Sequence, residues 1–573
     1  MDKYERFRKQ LGDPTLEITK MEDAVSGVNK INVQTMQYGY QSMIFEKDVP
    51  VKLSDGVTIY VNVYRPDRAG KFPVILSADA YGKDRPWQYA HPALDTTRAL
   101  WPVLGEITAS GYCNSESPDP GFWVPNDYVV IKVAVRGSSN SEGDLNQWSI
   151  YEARDYAEIV EWAGVQEWSN GNVGTNGVSY LCVTQWMMAA LNPPHLKAII
   201  PWEGLNDVYR EAAFHGGVPE TGFFPMWNKL LGVACRNPED MYGATLGEHR
   251  FYDEYWEDRC ADLSKITVPM LACASWSTVG LHNRGSFEGF KQSSSKDKWL
   301  YVHGRKEWET YYYRENLEMQ KAFFDHYLKG IDNDWEDTPR VRLEIRDKFF
   351  KGEVRYEDEW PIARQQCTRL YLNAENMTLQ TTPCEKESMC AYAVDRGVNE
   401  GEATFRITFD EDTEITGNIN LRVWVGAEGS DDMDLFVGIR KLDRRGDEVF
   451  FPDFNHIECG LAAKGWLRVS HRELDTEKST AFQPWLTHKK EQKLSAGEIV
   501  PCEVEIWPSG TLFKKGESLE VVIRGSDIVD FEATHGLVKG NSHTDTVNKG
   551  KHLIYTGDKY DSQLIVPVIP KKG

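Results

Sequence analysis

Between residues 72 and 302 the chain carries a series of short, predominantly apolar runs, and these restrict the fold more than any other feature. They are Phe72–Ser77, Tyr128–Val135, Asn172–Gly174, Leu196–Ile200, Val268–Cys273 and Trp299–Val302. A strand exposed on one face alternates apolar and polar residues, whereas these runs do not, so each must be covered on both faces. Helical patterns such as Ser149–Ala163, Tyr180–Leu191 and Gly285–Lys291 fall between them. Parallel strands need long crossovers, and helices on both sides of the sheet supply them. The expectation is a mostly parallel α/β sheet with functional residues just past the strand C-termini.

One of these strand ends is distinctive. In Gly174-Thr-Asn-Gly177-Val-Ser179-Tyr180-Leu181 a serine stands on a tight turn between a strand and a helix. This is the layout of a nucleophile elbow, where a strained turn exposes the serine hydroxyl at the top of the sheet. Leu181 stands where the usual G-x-S-x-G pattern has its last glycine. A serine here is also a good helix N-cap, so the turn gains its meaning from its surroundings.

The pattern changes twice further along. Residues 207–262 form an aromatic, helical insertion between two sheet strands, read as a cap over the site. After about residue 335 helix signals give way to period-2 segments such as Ile419–Ala427 and Ser518–Gly525, which predict an all-β sandwich. The expected organisation is a surface segment of helix and loop over 1–41, a catalytic domain over 42–206 and 263–335, the cap over 207–262, and a β-sandwich over 336–573.

Net charge is −22, spread along the chain, which disfavours nucleic acid and anionic membranes as partners. Acidic residues such as Glu152, Asp155, Glu158 and Glu161 read as solvated surface. Ten cysteines occur without a C-x-x-C pair, so neither a disulfide framework nor a zinc site is indicated. The charged start, MDKYERFRKQLGD, lacks a signal-peptide pattern and no run is long enough to span a membrane, giving a cytoplasmic expectation. The expected partner is a small-molecule ester or amide, with a homo-oligomer open and no metal or nucleotide cofactor called for.

Chain order in an α/β-hydrolase runs serine, acid, histidine. His303 follows the last apolar strand and is the first candidate for the base; His282, after the preceding strand, is the second. The acid position is vacant: Ala274-Ser275-Trp276-Ser277-Thr278 contains no carboxylate, leaving Glu203 or Glu307 as substitutes.

Several motifs together resemble the cocaine-esterase/X-Pro dipeptidyl-peptidase family of hydrolases. They are Val135-Arg-Gly-Ser-Ser-Asn-Ser-Glu-Gly143, Gln166-Glu-Trp-Ser-Asn-Gly-Asn-Val-Gly174 with the elbow, Ala80-Tyr81-Gly82-Lys83, and the late segments Leu421–Val425, Ser430–Leu435 and Gly465–Val469. The resemblance implies an α/β-hydrolase core with a helical cap and a C-terminal jelly-roll domain. It makes Ser179 the nucleophile, and the Tyr81 hydroxyl and Tyr180 N–H the oxyanion donors. The family's acid falls on Thr278 and its late histidine on Trp308, both departures. The function implied is a serine hydrolase that cleaves an ester, or secondarily an amide, of a small hydrophobic substrate through an acyl-enzyme. The alternative is the same scaffold with a degenerate triad doing cyclisation, lyase or acyl-transfer chemistry. A carbohydrate-binding protein would leave the elbow without a purpose.

Overall fold

The computed structural model describes residues 27–35, 39–84, 109–114, 116–305, 310–395, 401–454, 460–528 and 540–571. Its central sheet contains β1 (Gly27–Thr35), β2 (Gly39–Lys52), β3 (Thr58–Pro66), β4 (Phe72–Asp79), β5 (Val129–Ala134), β6 (Ser169–Val178) and β7 (Leu196–Trp202). A short hairpin of β8 (Phe214–His215) and β9 (Val218–Pro219) lies outside it, and β10 (Met270–Ser275) and β11 (Lys298–His303) continue the parallel part. In space the order is β1-β2-β3-β5-β4-β6-β7-β10-β11, antiparallel as far as the β3–β5 pair and parallel from there on. The apolar runs are thus the inner strands, and β4, β5 and β10 are buried along their whole length.

The helices follow from the same pattern. The helix α1 (Pro120–Trp123) precedes β5; α2 (Ile150–Gly164) starts at the N-cap Ser149 and turns Ala153, Tyr156, Ile159, Val160 and Ala163 onto the sheet. That spacing is one face of a 3.6-residue period. The crossover α3 (Tyr180–Ala189) is buried on all sides. A Cβ on Gly177, at φ +154°, would lie 2.5 Å from Leu181 Cβ. The close pass of strand and helix therefore rests on Gly177, which is how the elbow accommodates Leu181.

Residues 207–262 carry α4 (Phe223–Ala234), α5 (Met241–Leu246) and α6 (Glu254–Glu257) besides the β8–β9 hairpin. At the hairpin tip a Cβ on Gly216 would fall 1.9 Å from the Trp466 carbonyl oxygen, so the insertion is pressed directly onto the C-terminal half. Then come α7 (Asn283–Gln292) and α8 (Arg314–Lys329).

One expectation needs correction, and strand pairing crosses one expected domain boundary. Residues 27–35 of the supposed helix-and-loop segment form a strand paired with β2, while 1–26 lie outside the described residues. The sheet also runs past residue 335: β12 (Val341–Lys348) pairs parallel with β11 and is joined to β13 (Lys351–Glu357). Beyond it the strands form two antiparallel groups. Thr413–Glu428 pairs with Val500–Phe513, Lys551–Thr556 and Gln563–Val568; Ser518–Arg524 pairs with Glu402–Thr408 and Asp434–Leu442. Leu421, Val423, Val504, Val521 and Ile523 belong to the shared core. Among the described residues no helix is long and apolar enough to cross a membrane, and the nine described cysteines are free.

Gly177→Ala should lower the unfolding midpoint by several degrees, since the new methyl meets Leu181 and the backbone is in a region that L residues avoid. Leu181→Gly, itself destabilising, should cost less in that background than in the parent. Strictly additive effects in the thermal unfolding of the double variant would contradict this account.

Candidate functional site

The strand β6 ends at Val178 and α3 begins at Tyr180, leaving Ser179 as the single joint. Its backbone stands at φ 58°, ψ −120°, a conformation that costs about 1–3 kcal/mol in a non-glycine residue. The joint is held from both sides. The Ser179 N–H donates to the Glu203 carbonyl at 2.8 Å, and its carbonyl accepts the N–H groups of Cys182 and Val183 at 2.9 and 3.0 Å. Ser179 is partly exposed between the buried Val178 and Tyr180.

His282, not His303, faces the serine. Its Nε2 lies 3.0 Å from Ser179 Oγ. The residue sits at the start of α7, where the Thr278 carbonyl accepts the N–H groups of Leu281, His282 and Asn283 at 3.1–3.2 Å. Its Nδ1 accepts the Leu205 N–H at 3.2 Å. A neutral imidazole has one N–H, so an acceptor Nδ1 places the proton on Nε2, directed at the serine oxygen.

The order expected from sequence position is therefore reversed for a physical reason. His303 does end β11, but its ring is turned into the protein, with Nε2 2.8 Å from Glu203 Oε1 and 3.0 Å from Thr310 Oγ1. Its Nδ1 accepts the Arg305 N–H at 3.1 Å. Burial, followed by the charges of Arg342 and Arg305, holds this imidazole well below its usual range, so it is neutral. Glu203 is fully buried at φ 47°, and the Thr278 hydroxyl donates to its Oε2 at 3.4 Å. The sequence candidates Glu203, Thr278 and His303 thus form one cluster beneath the serine; Glu307 lies outside the described residues.

Donor atoms of Glu203, Cys273 and His303 lie within 4.8 Å of one another. Both ring nitrogens of His303 are already spent on hydrogen bonds, and burial pushes the Cys273 thiol well above its usual range, keeping it protonated. With both histidine nitrogens engaged, the three fit a hydrogen-bonded cluster better than a metal site.

On the other side of the serine, Tyr81 follows β4. The Asp79 carboxylate accepts the N–H groups of Tyr81 and Gly82 at 2.7 and 2.9 Å and so shapes that turn. The Tyr81 hydroxyl oxygen accepts Trp227 Nε1–H at 3.0 Å, and the Tyr81 ring meets the Tyr180 ring edge-on at 5.6 Å. Trp227 stacks on Trp148 at 4.2 Å. Here the reading of α2's acids as solvated surface fails. Glu152 is buried, accepts the Tyr180 hydroxyl at 2.6 Å and the Trp148 N–H at 2.6 Å, and is pushed up to about 7 by burial. Asp155 is buried against Arg136, at 2.7 Å. The signal for Glu152 was present as Ser149-x-x-Glu152, a capping-box spacing that turns the carboxylate inward.

Comparison with known proteins agrees with this architecture. Residues 55–306 match the X-Pro dipeptidyl-peptidase (S15 family) model, and residues 333–565 match that of the X-Pro dipeptidyl-peptidase C-terminal non-catalytic domain. The cocaine esterase of Rhodococcus sp. (strain MB1 Bresler) is 25% identical over 620 residues, covering 91% of this chain and 98% of that protein. A solved CocE/NonD family hydrolase from Staphylococcus aureus is 57% identical, covers 98% of this chain and 100% of its own, and superposes with a TM-score of 0.93. An α-amino acid ester hydrolase at 16% identity and a TM-score of 0.64 shares the fold. With a serine on a strained strand-to-helix turn, an S15 catalytic domain and a C-terminal β domain, the chain belongs to the CocE/NonD family and is a serine hydrolase of that type.

Proposed function

We propose that the protein cleaves an ester, and secondarily an amide, of a small hydrophobic substrate through an acyl-enzyme on Ser179. The observation that carries this reading is the 3.0 Å contact between Ser179 Oγ, on its strained turn, and His282 Nε2. In the reacting tautomer Nε2 takes the serine proton as Oγ attacks the carbonyl carbon, and the imidazolium returns it to the leaving group. Water then repeats the sequence on the acyl-enzyme. The developing oxyanion is received by the Tyr81 hydroxyl and the Tyr180 N–H. Because the Tyr81 oxygen accepts from Trp227, its O–H acts as the donor, and such donors stabilise the transition state more than the substrate.

In this reading the insertion 207–262 is a cap whose buried aromatics, Phe224 and Trp227, give the substrate side an apolar wall. The C-terminal β domain is read as a jelly roll that braces the cap through the hairpin at Gly216. Glu203 is a positioning residue, and His303 is its buried hydrogen-bond partner.

One observation favours a second reading. The base-active tautomer sets Nδ1–H against the Leu205 N–H across 3.2 Å, two donors facing each other. Hydrolysis must meet that cost in each cycle. A reaction that uses Nε2–H only as a hydrogen-bond donor does not, which is the form non-hydrolytic chemistry on this scaffold would take.

A screen of activated short-chain esters with stopped-flow detection tests the first reading. A burst equal to the enzyme concentration is expected, and Ser179→Ala should cost three or more orders of magnitude in turnover. Tyr81→Phe should cost about two orders in kcat; a loss confined to KM would make it a substrate contact. Turnover by Ser179→Ala equal to the parent's would remove the acyl-enzyme.

His282→Ala should damage kcat far more than His303→Gln. The latter should appear in stability instead. A buried neutral imidazole stabilises the fold fully above the unfolded pKa of about 6.5 and less as pH falls below it. The parent's advantage in unfolding midpoint over His303→Gln should therefore shrink between pH 7 and 5, and a constant advantage would contradict the assignment.

Thr278→Asp places a second carboxylate against Glu203 in a buried cluster, and like charges there disfavour ionisation. Esterase turnover should fall. A rise would show that the new carboxylate orients His282 and that the natural site is adapted to something other than hydrolysis.

A further inference from the structure

A second crevice lies at the junction of the two halves, at the end of α7 opposite His282. It encloses about 370 Å³, within the range of small-molecule pockets, about 300–1,000 Å³. Its apolar walls are Trp360, Pro361, Phe482 and Trp485. The polar groups at its inner end are largely consumed by one another. Glu288 accepts from Lys291, Gln292 and Gln483 at 2.6, 2.5 and 2.9 Å. Gln483 in turn accepts from Lys291 at 2.7 Å and donates to Glu505 at 2.8 Å.

Two lining groups differ. Asn418 stands at a β-bulge between Gly417 and Ile419, and its Nδ2 is buried with no acceptor in reach. Lys478 is exposed at the mouth, its ammonium 5.3 Å from the Trp485 ring and in no ion pair among the described residues. Leaving a buried donor without an acceptor is unfavourable, so a partner there is favoured. Both groups are donors and one is a cation, while the carboxylate in the wall is already neutralised by Lys291.

We propose that this crevice binds a small carboxylate with an apolar or aromatic body, the body against the indole and phenyl walls and the carboxylate between Lys478 and Asn418. The site is separate from Ser179 and does not depend on the acyl-enzyme reading. A neutral alcohol of the same skeleton keeps the apolar contact and loses the charge-assisted bonds.

The test uses the full chain in a Ser179→Ala background, titrated with 3-phenylpropanoate and with 3-phenylpropan-1-ol and followed by tryptophan fluorescence and calorimetry. The acid should bind saturably, at least about tenfold more tightly than the alcohol, a difference of about 1.4 kcal/mol. Lys478→Ala, a surface change that leaves the fold intact, should remove that preference while retaining the alcohol's affinity. Asn418→Ala should weaken the acid alone. Absence of saturable binding, equal affinities for acid and alcohol, or undiminished acid binding in Lys478→Ala would each overturn the proposal.

Discussion

The geometry of the site turns on Glu203, a fully buried carboxylate on a residue with positive φ at the end of β7. Its carbonyl takes the amide of Ser179, so the strained joint and the neighbouring strand end lock each other. Its side chain reaches the opposite way, to His303 and to the hydroxyl of Thr278. Thr278 then uses its carbonyl to hold the turn that begins α7 and carries His282. One buried residue thus fixes the serine directly and its histidine partner through one intermediate. A buried carboxyl group is expensive unless it is hydrogen-bonded, and here the neutral His303 ring and the threonine supply those bonds.

In the proposed mechanism the same arrangement sets this site apart from a Ser-His-Asp triad. A carboxylate on Nδ1 would favour the tautomer in which Nε2 accepts a proton and would stabilise the imidazolium. The Leu205 amide at that position favours the opposite tautomer. That amide is itself held in a rigid frame. Glu211 accepts the N–H groups of Asn206 and Asp207 and is paired with Arg284, which also binds Glu505 in the C-terminal half. His282 is therefore positioned in part by the contact between the two halves of the molecule.

Much of this was legible in the sequence because it follows from short-range pattern. Both-face burial forces apolar runs such as those of β4 and β5, and the strand-to-helix turn at Ser179 needs small residues before it. The antiparallel strands after residue 400 announce themselves by alternation. What was not legible depends on side-chain direction and long-range contact. His303 and His282 both follow parallel strands, and nothing local says that one ring turns inward to Glu203 while the other reaches the serine. Glu152 looked like any acid on an exposed helix until the chain brought Tyr180 to it, and residues 27–35 have no helix or strand pattern strong enough to reveal their pairing with β2.

Ser179, with His282 against it, is the proposed nucleophile. Treatment of the purified protein with a fluorophosphonate, followed by mass spectrometry of the digested product, tests it most directly. A single stoichiometric adduct is expected on the peptide containing Ser179, formed much more slowly in His282→Ala and at nearly the parental rate in His303→Gln. An adduct on any other residue, or labelling of Ser179 that depends on His303 and not on His282, would contradict it.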